Sequence, residues 1–469
     1  MRNFQLYNPI KMIFGPGQFD RLGEVALEYG SKPLLVVGKN FAREGGLLDR
    51  AIELLTSQGM DPVVFEGIEP NPRVTTLRDA AKLAQENECD LIIGIGGGSV
   101  MDASKVIAFG FHDPDGIWKR IAYWNEDYTP IDQALPIVLA STLAATGSEG
   151  DAGAVITNWE THEKVGVFSV HMFPKVSIID PELTVSVNPE YTRDGAIDMM
   201  IHVLESYLNG DEWATFSDRV TESLMAEVIL ALESVMENPS DIDARGKLSY
   251  LGAVALQGFI NGPRGGVFPL HMMEHPLSGL YDISHGRGLA MLLPRWLSYV
   301  SRENPDKIIQ IGERVFALDL ETFHPFEAAD KTIKRIIDWL EEIGSWYFAD
   351  DLGIPNDPVI FRKLAEDVIR LNGNEEGVIG GIRPLGVDDI VAIYQACVRT
   401  GTGISITEES VEEIPSETDE TASDETEEEI EIVEEVIVIE EGDPIPEGDD
   451  VIVIEEVIEE VVEEKPDSV

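Results

Sequence analysis

Short apolar runs alternate with amphipathic stretches along the first third of the chain. The runs span positions 33–39, 61–67, 90–97 and 135–142. Their length and their content of Val, Ile and Leu are typical of buried strands. Between them, positions 43–59 and 73–88 carry apolar residues at helical spacing. Strands that alternate with helices predict a parallel sheet covered by helices on both faces, an α/β fold.

The pattern changes at about residue 186. Long amphipathic stretches follow, such as 218–238 and 330–353, and strand-like runs almost disappear. Apolar residues at a period of 3.6 predict helices. We therefore predict an α/β domain over residues 1–185 that resembles a dinucleotide-binding unit, followed by an all-helical domain over residues 186–405.

The last segment, residues 406–469, has a different composition again. Between Glu408 and Val469 there are 28 acidic residues and one lysine, and the sequence VIVIEE at 436–441 recurs at 451–456. Alternating aliphatic residues around the turn-like GDPIPEGDD favour a hairpin, although like charges on facing strands oppose it. The composition predicts a mostly disordered acidic tail. The alternative is a docking strand that completes a sheet edge in a protein partner.

The net charge of the whole chain restricts the classes of molecule that it can bind. The formal net charge is −53. Such a surface repels nucleic acid and anionic lipid, so we expect neither as a partner. The sequence contains no apolar run of membrane-spanning length and no secretory leader, which favours the cytoplasm. Cys89 and Cys397 belong to no CxxC pair, and we interpret both as ordinary buried thiols.

A glycine-rich segment, GIGGGSVMDASK at 94–105, closes a predicted strand and opens a helix. The backbone amides of Gly96, Gly97, Gly98 and Ser99 would then face out of a helix N-terminus, a geometry that holds a pyrophosphate. Asp102 and Lys105 lie on one face of that helix. The alternative is a tight turn without a ligand.

Further along, Thr142, Thr146 and Ser148 supply hydroxyl groups after the next strand, where a ligand of an open α/β sheet binds. Alone, these three residues would indicate only a capped loop.

Histidines cluster in the helical region. Asp198 and His202 are four residues apart in a helical pattern, which places them on one face. The segment HMMEHPLSGLYDISHG at 271–286 adds three of the chain's eight histidines. One carboxylate and up to three imidazoles suit a single divalent ion, Fe²⁺ or Zn²⁺. His271 and His275 share a helical face, so spacing alone leaves open which of them is the ligand, and a single helical histidine is more often a core residue.

These motifs together resemble the iron-containing alcohol dehydrogenase family. The likeness is carried by GGGSVMDASK, ATGSE, DMMIHVLESY and HMMEHPLSGLYDISHG, and it is strongest to the butanol-dehydrogenase-like branch of NAD(P)H-dependent aldehyde reductases. It extends from the N-terminal FQLYNPIKMIFGPGQ to about Ile404 and excludes the tail. The resemblance implies a Rossmann-like parallel-sheet domain followed by an all-helical metal-binding domain, the dehydroquinate synthase-like architecture.

The resemblance also implies roles for individual residues. It places one metal ion, with Fe²⁺ favoured over Zn²⁺, on Asp198, His202, His271 and His285. It places His275 beside the nicotinamide and the substrate. It assigns the pyrophosphate to Gly96, Gly97, Gly98, Ser99 and Asp102, and lays the cofactor along Thr142 and Thr146.

Cofactor choice depends on the end of the first Rossmann-like strand. Members of the family that prefer NAD(H) resemble one another in carrying an Asp there, which binds the ribose hydroxyl and repels a 2′-phosphate. This chain has Gly38 and Lys39 instead. The missing carboxylate and the added cation favour NADP(H) over NAD(H). The alternative is that Lys39 is a solvated surface lysine.

The predicted reaction is reversible hydride transfer between NADP(H) and a small primary alcohol or aldehyde, in a homodimer, with His275 relaying the proton. Arg193 and Asp194 depart from the family pattern, as does the stretch GPRGGVFPLHMMEH, which affects the expected substrate fit. Three alternatives are a metal-dependent polyol dehydrogenase, a carbon–oxygen lyase on the same scaffold, and an assembly protein that acts through its acidic tail. The intact ligand set with Asp198 and the phosphate loop favour the alcohol dehydrogenase.

Overall fold

The computed structural model describes residues 2–39 and 45–399. The acidic segment 406–469, with both predictions made for it, lies outside the described residues. The strands are β1 Lys11–Phe14, β2 Pro33–Gly38, β3 Val63–Ile68, β4 Leu91–Gly96, β5 Ile137–Ser141, β6 Gly153–Asn158, β7 Glu163–Phe168 and β8 Val176–Ile179.

Six of these strands form one parallel sheet, in the order β1-β8-β5-β4-β2-β3. The predicted parallel α/β fold is confirmed, and the four predicted strands are β2 to β5. The strands β1 and β8, of four residues each, extend the sheet on the β5 side. The carboxyl ends of β4 and β5 lie side by side, because Gly96 pairs with Ser141.

Helices cover both faces of this sheet. They are α1 Leu22–Leu27, α2 Leu47–Ser57, α3 Val74–Glu86 and α4 Gly98–Gly110. Successive strand residues point to opposite faces. Accordingly Leu35 and Val37 of β2 pack in a core with α1 and α2, whereas Leu34 and Val36 pack in a core with α3 and α4. Burial on both sides explains why these strands are continuous apolar runs in the sequence.

The remaining two strands, β6 and β7, pair as an antiparallel hairpin. The turn of this hairpin meets the helical half of the chain. The imidazole Nδ1 of His162 lies 3.3 Å from the carbonyl oxygen of Gly279. A Cβ atom on Gly279 would lie 2.5 Å from the His162 carbonyl oxygen, so this close approach requires glycine.

The second half of the described chain is helical. Its helices are α5 Pro189–Asn209, α6 Thr215–Glu237, α7 Ile242–Ala255, α8 Gly258–Asn261, α9 Pro269–Tyr281, α10 His285–Val300, α11 Pro305–Arg314, α12 Pro325–Glu342, α13 Pro358–Asn372 and α14 Val387–Ala396. Single-turn 3₁₀ helices lie at Gln18–Arg21, Pro114–Gly116, Trp118–Arg120, Ser148–Gly150, Val170–Met172, Pro181–Thr184 and Ala349–Leu352.

The amphipathic stretch 330–353 is only partly helical. Helix α12 ends at Glu342, and Gly344 adopts a left-handed φ of 69°. The amide of Ser345 then bonds back to the carbonyl of Leu340, a glycine-dependent helix stop. Among the described residues, none of the helices is long and apolar enough to cross a bilayer.

The loop between α9 and α10 is held from the sheet side. Asn71 Nδ2 lies 3.1 Å from Asp282 Oδ1 and 3.2 Å from the Ile283 carbonyl oxygen, and Arg73 Nη2 lies 3.1 Å from Asp282 Oδ2. Both residues follow β3, and Asp282 itself has a left-handed φ of 52°. The two halves are thus tied together directly before His285.

Candidate functional site

The sheet side of the site is the junction of β4 and α4. Gly97 caps the helix in an extended conformation, and helix α4 begins at Gly98. The first amides of a helix have no partner within it and attract anions. A Cβ atom on Gly96 would lie 2.5 Å from Cβ of Val100, so a side chain there would push the first turn of α4 away from the strand.

The side chains of Asp102 and Lys105 bind the loop after β5. Asp102 accepts from the Ser148 hydroxyl at 2.7 Å and from the Val155 amide at 2.8 Å. Lys105, fully buried, donates to Ser148, Asp151 and the Gly153 carbonyl. Burial raises the pKa of Asp102 to about 6, against the opposing charge of Lys105. Both oxygens of the predicted pyrophosphate residue Asp102 therefore already bind protein groups.

The other predicted cofactor residues divide into two sets. Gly98, Ser99, Asp102 and Thr146 line one cavity of about 550 Å³. Thr142 is buried beside the glycine-rich strand end, and its amide donates to the Gly96 carbonyl at 3.0 Å. Gly38 and Lys39 lie at the end of β2, where Lys39 is exposed. Gly38, Lys39, Gly96, Gly97 and Thr142 do not line this cavity.

On the helical side, one carboxylate oxygen lies among three imidazoles. From Asp198 Oδ1, the distances are 3.5 Å to His202 Nε2, 3.7 Å to His271 Nε2 and 3.8 Å to His285 Nε2. Asp198 and His202 come from α5, His271 from α9 and His285 from the first position of α10. The structure thus brings all four predicted ligands together, from segments up to 87 positions apart in the sequence.

This arrangement fits a divalent ion. A tetrahedral site with metal–ligand distances of about 2.1 Å has edges of roughly 3.4 Å, close to the distances observed. Asp198 Oδ1 and His271 Nε2 are both buried without a hydrogen-bond partner in the described structure. Buried polar atoms without partners are costly, and a bound cation would satisfy both. One carboxylate and three imidazoles form a donor set suited to Fe²⁺ or Zn²⁺.

The charges of Asp198, His202 and His285 agree with this fit. Burial alone would favour the neutral acid, but the three imidazoles hold the pKa of Asp198 well below its usual range. Burial lowers the pKa of His202 to about 4, although Asp198 opposes this effect. Burial and the nearby Lys164 both lower the pKa of His285. His271 differs: burial would lower its pKa, but Glu205 and Asp198 raise it to about 9. Neutral imidazoles and an ionised carboxylate are the forms that bind metals, so metal binding would release a proton from His271.

Two buried glutamates that the sequence analysis missed orient two of the histidines. Glu205 accepts a hydrogen bond from Nδ1 of His271, and Glu274 accepts one from Nδ1 of His285. Both glutamates are completely buried. Bonds of this kind fix the tautomer and leave Nε2 free to bind. Each glutamate lies three residues after a predicted ligand, so helical spacing could have identified it as a neighbour.

His275 lines the same cavity but lies away from Asp198. Its ring centre is 6.4 Å from that of His271 and 5.6 Å from that of His285. Glu274, His275 and His285 each have one possible metal-binding atom within 4.8 Å of the other two. The Glu274 carboxylate, however, already accepts a hydrogen bond from His285. Burial and the charge of Lys164 lower the pKa of His275 well below its ordinary value. Spacing alone left open whether His271 or His275 is the ligand, and the short distance from His271 Nε2 to Asp198 Oδ1, 3.7 Å, favours His271.

The departures at Arg193 and Asp194 make internal contacts. Asp194 Oδ2 accepts from Ser284 Oγ at 2.7 Å and from Arg287 Nε at 3.1 Å, and Arg193 donates to the Ile343 carbonyl at 2.6 Å. Neither residue lines the cavity. Asp194 therefore supports the helix start that carries His285 without shaping the cavity wall.

The cavity joins the two sides of the site. Its lining includes Gly98, Ser99 and Thr146 from the sheet side and Asp198, His202, His271, His275 and His285 from the helices. Phe268, Leu256 and Val167 add apolar surface. Its volume lies within the usual range for sites that bind small molecules and cofactors.

Comparisons with known proteins agree with this geometry. Residues 9–181 match the family model described as iron-containing alcohol dehydrogenase, and residues 192–398 match the C-terminal model of the Fe-containing alcohol dehydrogenase family. The two matches together cover the sheet and the helices that form the cavity.

The chain is similar to NADH-dependent butanol dehydrogenase A of Clostridium acetobutylicum, with 35% identity over 84% of this chain and 99% of that protein. It is 30% identical to an NADPH-dependent aldehyde reductase of Escherichia coli, over 78% of this chain and 94% of that protein. The crystal structure of NADH-dependent butanol dehydrogenase A from Thermotoga maritima superimposes with a TM-score of 0.79 at 33% identity, over 85% of this chain and 99% of the other.

Proposed function

Because the chain belongs to the iron-containing alcohol dehydrogenase family, we propose that it transfers a hydride reversibly between NADP(H) and a small primary alcohol or aldehyde. One observation carries the proposal: the glycine-rich helix start and the carboxylate–imidazole cluster line the same cavity. The dinucleotide supplies the hydride, and the protein orients it.

The metal would be held by Asp198, His202, His271 and His285. When bound, a divalent ion supplies Lewis acidity toward the oxygen of the substrate. The protein's own contribution is to hold the Nε2 atoms and the carboxylate oxygen in mutual proximity, with Glu205 and Glu274 fixing two of the rings. Fe²⁺ is the ion we favour, with Zn²⁺ as the alternative.

The dinucleotide would lie across the helix start at Gly97 and Gly98, with the Ser99 amide facing its pyrophosphate. Thr142 and Thr146 come from the adjacent strand end and would border the cofactor. Asp102 and Lys105 hold the loop at 148–155 against the helix. This bracing keeps the sheet side of the cavity in place while the cofactor enters.

His275 is the group we assign to proton transfer. It lines the cavity one helical turn beyond His271, and burial and Lys164 lower its pKa, so its imidazole is neutral in the metal-free protein. In alcohol oxidation it would take the hydroxyl proton, and in aldehyde reduction it would pass a proton to the forming alkoxide. Leu256 and Phe268 supply apolar walls that suit a short alkyl chain.

The preference for NADP(H) rests on the end of β2. Gly38 leaves no carboxylate there to repel a 2′-phosphate, and the exposed Lys39 supplies a cation. The similar proteins are named for different cofactors: the two butanol dehydrogenases are called NADH-dependent, and the aldehyde reductase is called NADPH-dependent.

We also propose that the enzyme acts as a homodimer and that catalysis does not need the acidic segment after residue 407. A chain that ends at residue 407 should keep the turnover of the full chain. A changed oligomer size in gel filtration with unchanged turnover would identify the segment as an assembly or docking device.

Two measurements on the purified full chain test the proposed function. Elemental analysis should find about one Fe or Zn per chain, and NADPH oxidation should accompany reduction of short straight-chain aldehydes. NADH and a panel of polyols provide the matched comparisons. A protein that binds no metal at these residues, or that oxidises polyols in preference to primary alcohols, would refute the proposal.

A further inference from the structure

A lysine from the sheet half of the chain lies beside the residues that orient the proposed metal ligands. Lys164 lies on β7, and β7 packs against α9, the helix that carries His271 and Glu274. The contact between the hairpin turn and Gly279 holds the strand close to that helix. The sequence analysis gave Lys164 no role.

Lys164 is buried and ends between two members of the cluster. Its side chain is 5% exposed, and Nζ lies 3.4 Å from Glu274 Oε2 and 3.4 Å from Nδ1 of His285. A buried lysine needs a compensating anion, and Glu274 is that anion. The ammonium and the imidazole share the same carboxylate oxygen.

Glu274 has three hydrogen-bond partners among the described residues, and Lys164 is the one that compensates its charge. Its other oxygen accepts from the Ser278 hydroxyl, and the carboxylate is completely buried. Glu205 differs, because the Leu270 amide contributes to its partners and no lysine is within reach of it in the described structure. Removal of Lys164 would leave Glu274 as a buried anion without its cation, and its side chain would be free to turn away from His285.

The formal charges favour the same interpretation. Asp198, Glu205 and Glu274 are three buried carboxylates around one cluster. A divalent ion supplies two positive charges, and Lys164 supplies the third. A balanced set of charges is what a buried polar cluster needs.

We propose that Lys164 is a positioning residue for the metal: through Glu274, it holds the ring of His285 with Nε2 toward Asp198. This inference rests on the metal site of the proposed function. It makes the affinity for the metal depend on a residue from the dinucleotide-binding half, in addition to the four ligands.

Titration of the metal-free protein with Co²⁺ tests this proposal without any activity assay. Tetrahedral Co²⁺ gives visible absorption bands whose position and strength report ligand geometry. Lys164→Met should weaken Co²⁺ binding about 10- to 100-fold and change the bands. Lys164→Arg should restore most of the affinity, whereas Lys119→Met, an exposed lysine elsewhere, should bind like the original protein.

A double-mutant cycle shows whether Lys164 acts through Glu274. The variant with both Lys164→Met and Glu274→Gln should bind Co²⁺ no more weakly than Glu274→Gln alone. Normal Co²⁺ binding by Lys164→Met, or fully additive losses in the double variant, would overturn the proposal. Lys164→Gln replaces Lys164→Met if the latter does not fold. If the unchanged protein itself shows no tetrahedral Co²⁺ bands, the proposed metal site is wrong as well. Failure of the metal site is thus distinguished from failure of the positioning role of Lys164 alone.

Discussion

The two walls of the cavity are built from different parts of the chain. On the sheet side, the helix start at Gly98 and Ser99 forms part of the surface with its backbone. On the helical side, side chains of three helices converge on Asp198 Oδ1. A wall made of backbone tolerates substitutions that leave the backbone conformation unaltered. A wall made of converging side chains loses its binding geometry when one of those side chains is removed.

The buried carboxylates on the two sides show the same contrast. On the helical side Glu205 and Glu274 each bond to a histidine. On the sheet side Glu149 is 1% exposed, and neither of its oxygens has a hydrogen-bond partner in the described structure. A buried acid without a partner costs stability once it is ionised, while a paired acid adds to the order of its neighbours.

The largest effect is expected on the helical wall, from His271→Ala. The variant should lose the metal and at least about 5 kcal/mol of transition-state stabilisation, ~10⁴-fold in kcat/KM. Elemental analysis and steady-state kinetics on the same preparation measure both. Full metal content in an inactive variant would contradict the ligand role.

His275→Ala separates the proton relay from the ligands. We expect normal metal content and a loss of about 10²- to 10³-fold in kcat, since a general acid–base group is removed while the cluster stays intact. Metal content and the pH profile of kcat are the measurements. Equal metal loss in His275→Ala and His271→Ala would show that the roles of the two residues are misassigned.

Glu149→Gln examines the unpaired acid of the sheet side. Burial raises the pKa of Glu149 to about 7 from an ordinary value of 4.5, although Lys105 opposes the rise. The folded state therefore holds the proton more tightly than the unfolded chain does, so stability is full below pH 4.5 and is lost as the pH rises through 7. The cost should reach roughly 3 kcal/mol above pH 7.

Urea unfolding at pH 5 and pH 8 measures this effect. The difference in free energy of unfolding between the original protein and Glu149→Gln should grow in favour of the glutamine variant at pH 8. An equal difference at both pH values would mean that Glu149 does not titrate in this range.

Gly96→Ala tests the backbone wall through the first turn of α4, because Gly96 itself does not line the cavity. The new Cβ would meet Val100 and displace the first turn of α4, so we expect about 1–3 kcal/mol of destabilisation and a KM for the dinucleotide raised about tenfold. Metal content should stay unchanged. The control is Gly386→Ala, because the nearest atom to a Cβ there lies 3.6 Å away and this glycine does not line the cavity. If Gly96→Ala reduced metal content more than it reduced dinucleotide binding, the two walls would not be functionally distinct.

The smallest effect is expected from Lys39→Ala. An exposed lysine beside a 2′-phosphate contributes up to about 1 kcal/mol, so the ratio of kcat/KM for NADPH to that for NADH should fall about threefold to fivefold. The effect should shrink at high salt. Lys119→Ala is the matched exposed control, and an unchanged ratio in Lys39→Ala would leave Lys39 as a solvated surface residue.

The features that the sequence predicted are local ones. Strands β2 to β5 are buried on both faces and appear as continuous apolar runs, and Asp198 with His202 shows a helical spacing. The glycine triplet marks the helix start, and the family resemblance is confirmed by the matches to both halves of the chain. The predicted domain boundaries and site roles stay predictions.

The features that the sequence did not reveal depend on contacts across long separations. Strand β1 is a four-residue edge strand with exposed positions, so its pattern is weak. Glu205 meets His271 across 66 positions, and Lys164 meets Glu274 across 110. No local period encodes such pairs, because they arise only when the hairpin and the helices pack together.

The tether from Asn71 and Arg73 to the loop before His285 has a consequence for dissection of the protein. A fragment limited to the helices would contain all four proposed metal ligands, yet it would lack Asn71 and Arg73, whose hydrogen bonds hold the loop before His285. The proposed ion site therefore depends on both portions of the polypeptide. Grafting the helices onto a foreign nucleotide-binding scaffold would have to recreate these hydrogen bonds.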